Sequence, residues 1–366
     1  MRRAAVLMRT FRHGHSARPA DRLPALPLPY PSGWFCVGFS PEWKPGDVRA
    51  VRFMGGDIVV FRTRRGLLRA TLPYCPHLGA HLGAGGTVDG EYLVCPFHKF
   101  AFAVDGSCAR TPYGVPPKAS LTVLPSREAY GIVWVWHSPG GSPPSWELPL
   151  LPRPVISPSA SHVVDRPGRP QELMRDVAGH RHFTALHGVD AIDVLSEPVT
   201  GGPVYSTAFR LSLGLGLPCF SVFQDVTLRI LGLGAALFLT ESAHRRLDGA
   251  HWVLVTPVDP GHVRYRVASG AAMLLPPTRL PAPLRRGVER ALGRGVNHWT
   301  LHGARTGRPG SHRAVPLPSR RDEPADGRSD DAYRQWSRQF YPTERAAGTA
   351  SSLSDTGSPT PSDPAS

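Results

Sequence analysis

Residues 75–98 read CPHLGAHLGAGGTVDGEYLVCPFH, and a short motif stands at each end of this stretch. The first motif is Cys75-Pro76-His77, the second is Cys95-Pro96-Phe97-His98, and 17 residues separate them. Each motif carries one thiol and one imidazole, and both groups are ligands for transition metals. Two thiols and two imidazoles in two tight pairs therefore predict a metal site that joins two loops.

The order of these ligands favours a Rieske [2Fe–2S] cluster. In such a cluster two cysteines bind one iron and two histidines bind the other, so Cys75 and Cys95 are predicted to hold one iron and His77 and His98 the second. Imidazole in place of thiolate removes negative charge and raises the reduction potential. The alternative is a structural zinc site, but zinc spacing usually separates a cysteine pair from a histidine pair, whereas each pair here is mixed.

Composition limits the possible partners and compartments. The 366 residues suffice for two domains, and the formal charge is +14. The basic residues are almost all arginines and look scattered, so we interpret the charge as arginine usage and expect no nucleic-acid partner. Five cysteines, two of them assigned to a cluster, predict a reducing compartment, the cytoplasm. No apolar stretch approaches the ~20 residues of a membrane span.

Strand patterns and turn residues divide the chain. Short alternating strands predict a small all-β domain over residues 28–140, and Pro-rich residues 141–160 predict a linker. Residues 161–342 combine long strands with two helices, which predicts an α+β domain, a curved antiparallel sheet wrapped around helices with an interior pocket. We expect residues 1–27 to be a disordered extension, with a targeting segment in residues 1–20 left open, and residues 343–366 to be a disordered tail.

Histidines cluster in a helix predicted over residues 171–187, and His182 and His187 are the pair that suits a non-haem Fe(II) site. Positions five apart on an ideal helix lie about 140° apart, so the two rings share a metal only if the helix unwinds near His187. Gly188 permits that unwinding. The alternative is a solvated polar helix face.

On these residues the chain resembles the Rieske non-haem iron oxygenases, and among them the branch of 3-ketosteroid 9α-hydroxylase oxygenase components and cholesterol 7-desaturases. The resemblance covers most of residues 29–342. The segments that carry it are Tyr30-Pro-Ser-Gly-Trp34, Tyr74-Cys-Pro-His-Leu-Gly79, Cys95-Pro-Phe-His98, Gln171-Glu172, His182-Phe183, His187-Gly188 and Tyr333-Arg-Gln-Trp336-Ser-Arg-Gln-Phe340-Tyr341.

The resemblance implies that residues 161–342 are a helix-grip-like catalytic domain with mononuclear Fe(II) on His182 and His187. Enzymes of this kind activate O₂, take electrons from a separate flavin- or ferredoxin-type reductase and oxidise a C–H bond of an apolar substrate. The resemblance also implies a homotrimer. The chain itself carries no flavin or NAD fingerprint, so a separate reductase is expected.

Two family carboxylates are missing from the positions where the resemblance places them. Gly179 stands where the family has the aspartate that connects cluster and iron, and Asp176, one helical turn away on nearly the same face, is the candidate bridge. Gly295, four residues before Trp299, stands where the family has its third iron ligand. The iron is therefore expected to be weakly held, with Asn297 and His298 as the nearest other ligands.

Two functions follow. The first is an oxygenase component that hydroxylates or desaturates a sizeable apolar substrate, sterol-like or a secondary metabolite. The second is a Rieske electron-transfer or non-catalytic subunit with a degenerate mononuclear site. The missing carboxylates favour the second function, whereas the retained His182, His187 and the terminal motif favour the first. Iron content distinguishes them, at about three atoms per chain against about two.

Overall fold

The structure is a computed structural model that describes residues 30–151, 157–179, 189–214, 221–242, 247–273, 281–306 and 324–342. These ranges contain eighteen β-strands and three α-helices. The predicted iron ligands His182 and His187, like the predicted disordered ends, lie outside the described residues. None of the helices in these ranges is long and apolar enough to cross a membrane.

Three small antiparallel sheets are built from the first eleven strands, as predicted for an all-β domain. Their orders are β2-β3-β4-β9, β5-β6-β7-β8 and β1-β11-β10. The strands are β1 (Gly33–Phe39), β2 (Val48–Phe53), β3 (Gly56–Arg62), β4 (Leu68–Thr71), β5 (Thr87–Asp89), β6 (Tyr92–Val94), β7 (Ala101–Phe102), β8 (Cys108–Arg110), β9 (Val123–Leu124), β10 (Ser126–Ala129) and β11 (Ile132–His137).

A seven-stranded antiparallel sheet forms the centre of the second half, in the order β12-β18-β17-β16-β15-β14-β13. Its strands are β12 (Ala160–Pro167), β13 (Ala191–Gly201), β14 (Val204–Gly214), β15 (Ser221–Leu231), β16 (Ala235–Ser242), β17 (Leu247–Asp259) and β18 (His262–Met273). The consecutive strands β12 and β13 lie at opposite edges, so the chain crosses the sheet between them. The α+β class predicted from the sequence is confirmed.

Gly232, with φ of +58°, turns the chain between β15 and β16. One predicted element is wrong in detail. The helix predicted over residues 171–187 is not continuous, because its described part, α1 (Pro170–Ala178), ends where Gly179 adopts an extended conformation. The remaining helices are α2 (Ala282–Thr306), which confirms the second predicted helix, and α3 (Pro324–Ser337).

One face of the seven-stranded sheet is covered by the three helices. Val253 and Val255 of β17 point into this layer, where they join Met174 of α1, Leu301 of α2 and Trp336 of α3 in one buried cluster. The residues of the terminal motif hold it together. The Tyr333 hydroxyl donates to the carbonyl of Gln171 at 2.9 Å, and the Trp336 indole donates to the carbonyl of Gly202 at 2.9 Å.

The other face packs against β1, β10 and β11, which fixes the small domain on the large one. Successive residues of a strand point to opposite faces, so Trp252 and Leu254 of β17 pack against Trp34 and Trp134 of the first half. Buried Arg266 adds a polar contact, since its guanidinium donates to the carbonyl of Cys36 at 3.1 Å. The two cores therefore share the sheet between them.

Candidate metal centre

Two loops of similar backbone structure carry the predicted ligands of the metal site. The first loop links β4 to β5, and the Cys75 N–H donates there to the carbonyl of Ala80 at 2.9 Å. The second links β6 to β7, and the Cys95 N–H donates to the carbonyl of Phe100 at 2.8 Å. The hairpin between them turns at Gly90-Glu91, with Asp89 opposite Tyr92.

The two proposed cysteine ligands lie beside each other, and so do the two proposed histidine ligands. The Cys75 and Cys95 thiols are within hydrogen-bonding reach of each other and are 3 % and 1 % exposed. The imidazole rings of His77 and His98 lie with their centroids 4.8 Å apart at an interplanar angle of 73°. His77 is exposed and His98 is half-buried, so the thiols lie inside and the rings lie at the surface.

This arrangement fits a two-iron cluster better than a single zinc ion. A zinc ion needs all four donors around one point, whereas here a thiol pair and a ring pair are separate, as two irons with two ligands each require. Burial is the main cause that raises the pKa of the Cys75 thiol to about 11, and the neighbouring Cys95 raises it further. The His77 and Leu78 N–H groups oppose this by donating to the Cys75 sulfur. Two such thiols ionise together only when bound cations compensate their charge.

Aromatic side chains surround the rings. Phe100 is 6 % exposed and stacks on His77 with centroids 4.4 Å apart. Phe102 is fully buried. Phe97, which lies within the second ligand motif, is 64 % exposed, although the centroid of its ring lies 3.9 Å from that of His98. Shielding therefore comes from the inner side only.

Asp176, the candidate bridge, is exposed on α1 and lies near the positive charges of Arg175 and Arg166. The pKa of its carboxyl is raised, mainly because the surrounding protein removes it from water, whereas the positive charges of Arg175 and Arg166 partly oppose this rise. Burial is the main cause that raises the pKa of the Tyr265 and Tyr333 hydroxyls, and the nearby Asp176 carboxylate adds a smaller contribution. Its relation to His182 and His187 stays a prediction, because those residues are outside the described ranges.

The two substitute iron ligands named from the sequence, Asn297 and His298, point to different sides of α2 relative to Gly295. A Cβ added at Gly295 meets nothing within 4 Å among the described residues. Residues two apart on a helix lie about 200° apart, so buried Asn297 points to the opposite side, where its Oδ1 accepts a hydrogen bond from Ser269 at 2.7 Å. His298 lies only about 60° from Gly295 around the helix, so it is the better placed of the two.

The sequence did not predict a row of hydrogen-bonded polar side chains on the helix-covered face of the sheet. Ser269 Oγ lies 2.6 Å from His251 Nδ1, and His251 Nε2 lies 3.2 Å from Thr300 Oγ1. Together with Asn297 these groups join β17 and β18 to α2. The strand positions of His251 and Ser269 gave no signal, because only the register of β17 with β18 places the two residues opposite each other.

Comparison with known proteins agrees with this geometry. Residues 33–125 match the family described as Rieske [2Fe-2S] domain. This segment is a Rieske [2Fe–2S] domain. The Rieske domain is followed by a sheet and helices, and the predicted resemblance to the Rieske oxygenases is confirmed by relatives of similar sequence and by solved structures of similar fold.

Two curated relatives share sequence with just under half of this chain. The Bombyx mori protein named cholesterol 7-desaturase nvd is 35% identical over 175 residues, which are 47% of this chain and 39% of that protein. A Rhodococcus rhodochrous protein named probable 3-ketosteroid-9-alpha-monooxygenase, oxygenase component, is 40% identical over 176 residues, which are 44% of this chain and 42% of that protein. The chain thus spans less than half the length of these relatives.

Solved structures extend the likeness to both halves as a similarity of fold. Dicamba monooxygenase with non-heme iron and dicamba has a TM-score of 0.57 at 15% identity, over 87% of this chain and 98% of that chain. An oxygenase–ferredoxin complex of carbazole 1,9a-dioxygenase has a TM-score of 0.57 at 13% identity, over 90% of this chain and 95% of that chain.

Proposed function

We propose that this protein is the oxygenase component of a Rieske-type system that hydroxylates or desaturates a sizeable apolar, sterol-like substrate. The observation that carries the proposal is the inner thiol pair and outer ring pair of a Rieske domain, fixed against a helix-covered sheet. The names of the relatives support the substrate class, since a cholesterol desaturase and a 3-ketosteroid monooxygenase both act on steroid skeletons.

The cluster would be held by Cys75 and Cys95 on its buried iron and by His77 and His98 on its outer iron. When bound, it supplies one-electron transfer. The chain's own residues fix its position, since the loop N–H groups of His77 and Leu78 point at the Cys75 sulfur and stacking on Phe100 fixes the His77 ring. The exposed rings form the edge at which an electron enters or leaves.

A mononuclear Fe(II) on His182 and His187 would be the second group, and it supplies O₂ activation when bound. Asp176 is the candidate that links the cluster to this site, because a carboxylate that accepts a histidine N–H fixes the ring and its tautomer. Gly179 and Gly295 leave the site with fewer carboxylates than the family pattern, so we propose weak retention of the iron.

Electrons would come from a separate flavin- or ferredoxin-type reductase, and the net charge of +14 favours an acidic donor. We also propose a homotrimer. Apolar side chains lie exposed around the cluster loops, and a second copy of the chain would cover them. They are Tyr74, Leu78, Phe97, Tyr113 and Val115, which are 62 to 93% exposed. We assign the protein to the cytoplasm, because the described cysteines form no disulfide with one another.

The decisive experiment measures iron and turnover on the same anaerobic preparation. The proposal expects about three irons per chain, a Rieske electron paramagnetic resonance signal, and oxidation of a 3-ketosteroid or sterol with added reductase, NADH and O₂. Two irons per chain, the same signal and no product with any steroid would support the electron-transfer subunit instead. That alternative rests on the missing carboxylates at Gly179 and Gly295.

A further inference from the structure

A polar cavity of about 370 Å³ lies between the edge strand β12 and helix α2. Six of its eight lining residues are polar: Ser159, Ser161, His162, Arg294, Asn297 and His298. We propose that this cavity binds a small oxyanion, the carboxylate or phosphate group of a small organic or inorganic ligand. The proposal goes beyond the oxidation of an apolar substrate. The cavity lies on the stretch of α2 that also carries Gly295 and His298, the positions considered above for the third iron ligand.

The chemistry of the lining points to an anion. Every polar residue of the lining carries hydrogen-bond donors, and Arg294 adds a permanent charge with five N–H groups in a planar fork. Among the described residues of the lining, none is acidic. A guanidinium fork binds carboxylate or phosphate through two parallel hydrogen bonds, and such charge-assisted bonds are about twice as strong as neutral ones.

A row of basic side chains on α2 leads to the cavity. Arg286, Arg290, Arg294 and His298 follow one another at intervals of four residues, so they lie along one side of the helix. These arginines form a stripe, which corrects the expectation that the arginines of the chain are scattered. Arg285 and Glu289 make an ion pair within α2, at 3.9 Å. Like charges four residues apart destabilise a helix, and a bound anion relieves that repulsion.

The inner wall of the cavity is fixed by the hydrogen-bonded side chains of Asn297, Ser269 and His251. Asn297 is 4 % exposed, and its Oδ1 accepts the hydrogen bond of Ser269. The N–H groups of the Asn297 side chain are therefore its donors for other partners, such as an anion in the cavity. Close packing also fixes α2 here, since a Cβ added at Gly293 would lie 3.1 Å from the carbonyl of Ser269. Asn297 is thus placed before any ligand arrives, which lowers the entropic cost of its contribution to binding.

The cavity does not suit the large apolar substrate of the proposed function. Pockets for such ligands are lined predominantly by apolar and aromatic side chains, whereas only two of the eight residues here are apolar. A volume of about 370 Å³ is at the small end of the range of ligand pockets. An oxyanion of a few to about a dozen heavy atoms matches both the size and the polarity.

Isothermal titration calorimetry of the full-length protein tests the proposal. Inorganic phosphate and succinate are titrated separately at constant ionic strength set with sodium chloride. We expect saturable binding of at least one of them at one site per chain, and the arm that binds identifies phosphate or carboxylate. Arg294→Gln should weaken the binding at least about tenfold, and Arg294→Lys should weaken it less because charge remains without the fork.

The matched control is Arg286→Gln, which removes the same charge from the same row about 12 Å along the helix and outside the cavity. It should bind the anion as the native protein does. His162→Gln, on the facing strand, should weaken binding independently of α2. No saturable binding of either anion, or equal binding by Arg294→Gln and Arg286→Gln, would overturn the proposal. Because steroid oxidation enters none of these measurements, the result is independent of the proposed function.

Discussion

Gly79 and Lys99 occupy the same position in the two cluster loops. The N–H of Gly79 donates to the carbonyl of Cys75 at 2.9 Å, and the N–H of Lys99 donates to the carbonyl of Cys95 at 3.2 Å. Both residues have positive φ, +71° and +57°. One turn is therefore used twice, each time to present a cysteine followed by a histidine. The sequence hides this repeat, because glycine marks the turn in one loop and lysine replaces it in the other.

Gly79→Ala should destabilise the protein and weaken retention of the cluster. A Cβ at this position meets nothing within 4 Å, so the cost comes from the left-handed backbone alone, about 1 kcal/mol. Chemical denaturation gives the free energy of unfolding, and visible absorbance gives the cluster content.

Gly90→Ala is the matched control for that variant. Gly90 also has positive φ and open space, but it lies in the β5–β6 turn, away from the sulfurs. It should cost similar stability and leave the cluster in place. Equal loss of cluster from both variants would show that the turn around Cys75 has no particular role in holding it.

His77→Cys should lower the reduction potential of the cluster. A thiolate in place of a neutral imidazole adds negative charge, and all-cysteine clusters lie on the order of 100 mV or more below Rieske centres. Protein-film voltammetry measures the shift. Phe100→Leu is the companion variant, since it removes the ring stacked on His77 but no ligand, and it should shift the potential much less. An unchanged potential in His77→Cys would remove His77 from the ligand set.

Asp176→Asn should alter the pH dependence of stability. Desolvation raises the pKa of Asp176 in the folded protein above that of the unfolded chain. Such a carboxyl contributes stability below the unfolded value, about 4, and that contribution is lost as the pH rises through the folded pKa. Relative to the native protein, Asp176→Asn should therefore gain stability as the pH rises from about 4 to 7, measured by urea denaturation.

The same variant tests the proposed bridge. If Asp176 connects the cluster with the mononuclear iron, Asp176→Asn should keep both metals and slow the electron transfer between them in single-turnover measurements. Glu172→Gln, four residues earlier on α1, removes a carboxylate from the exposed surface and should keep the native rate. Equal rates in all three proteins would assign Asp176 to a surface role beside Arg175.

The Rieske half could be predicted closely because its signal is local. The mixed cysteine–histidine motifs place the proposed ligands on two loops, and the hairpin between the loops closes over a two-residue turn at Gly90-Glu91. For the second half, the sequence predicted the fold class but not every strand. Strand β13 gave no clear pattern, since most of its residues are exposed and Pro198 lies where its register with β14 shifts. Proline is tolerated at such an edge because the strand makes no ladder bond there.

The roles of the residues on α2 could not be predicted from the sequence, because they depend on which elements pack against the helix. Spacing alone named Asn297 and His298 together as substitute ligands, but the structure turns Asn297 toward the sheet and pairs it with Ser269. The cavity beside Arg294 was equally hidden, because its facing residues come from β12, more than 120 residues earlier in the chain. A helix pattern shows which side chains share a face, and only packing shows what that face meets.

Gly295→Asp should tighten the mononuclear iron. In the described part of the chain nothing lies within 4 Å of a Cβ at this position, and a carboxylate there adds charge-assisted binding of Fe(II) to the two proposed histidine ligands. Gly287→Asp is the control, because Gly287 lies on the same helix with the same open space but two turns away. Iron per chain is measured after dialysis against a chelator, with the Rieske signal as the internal reference. We expect the native protein and Gly287→Asp to lose the third iron and Gly295→Asp to retain it. Retention in all three proteins would mean that another carboxylate, such as Glu289, binds the iron and that the position assigned from Trp299 is wrong.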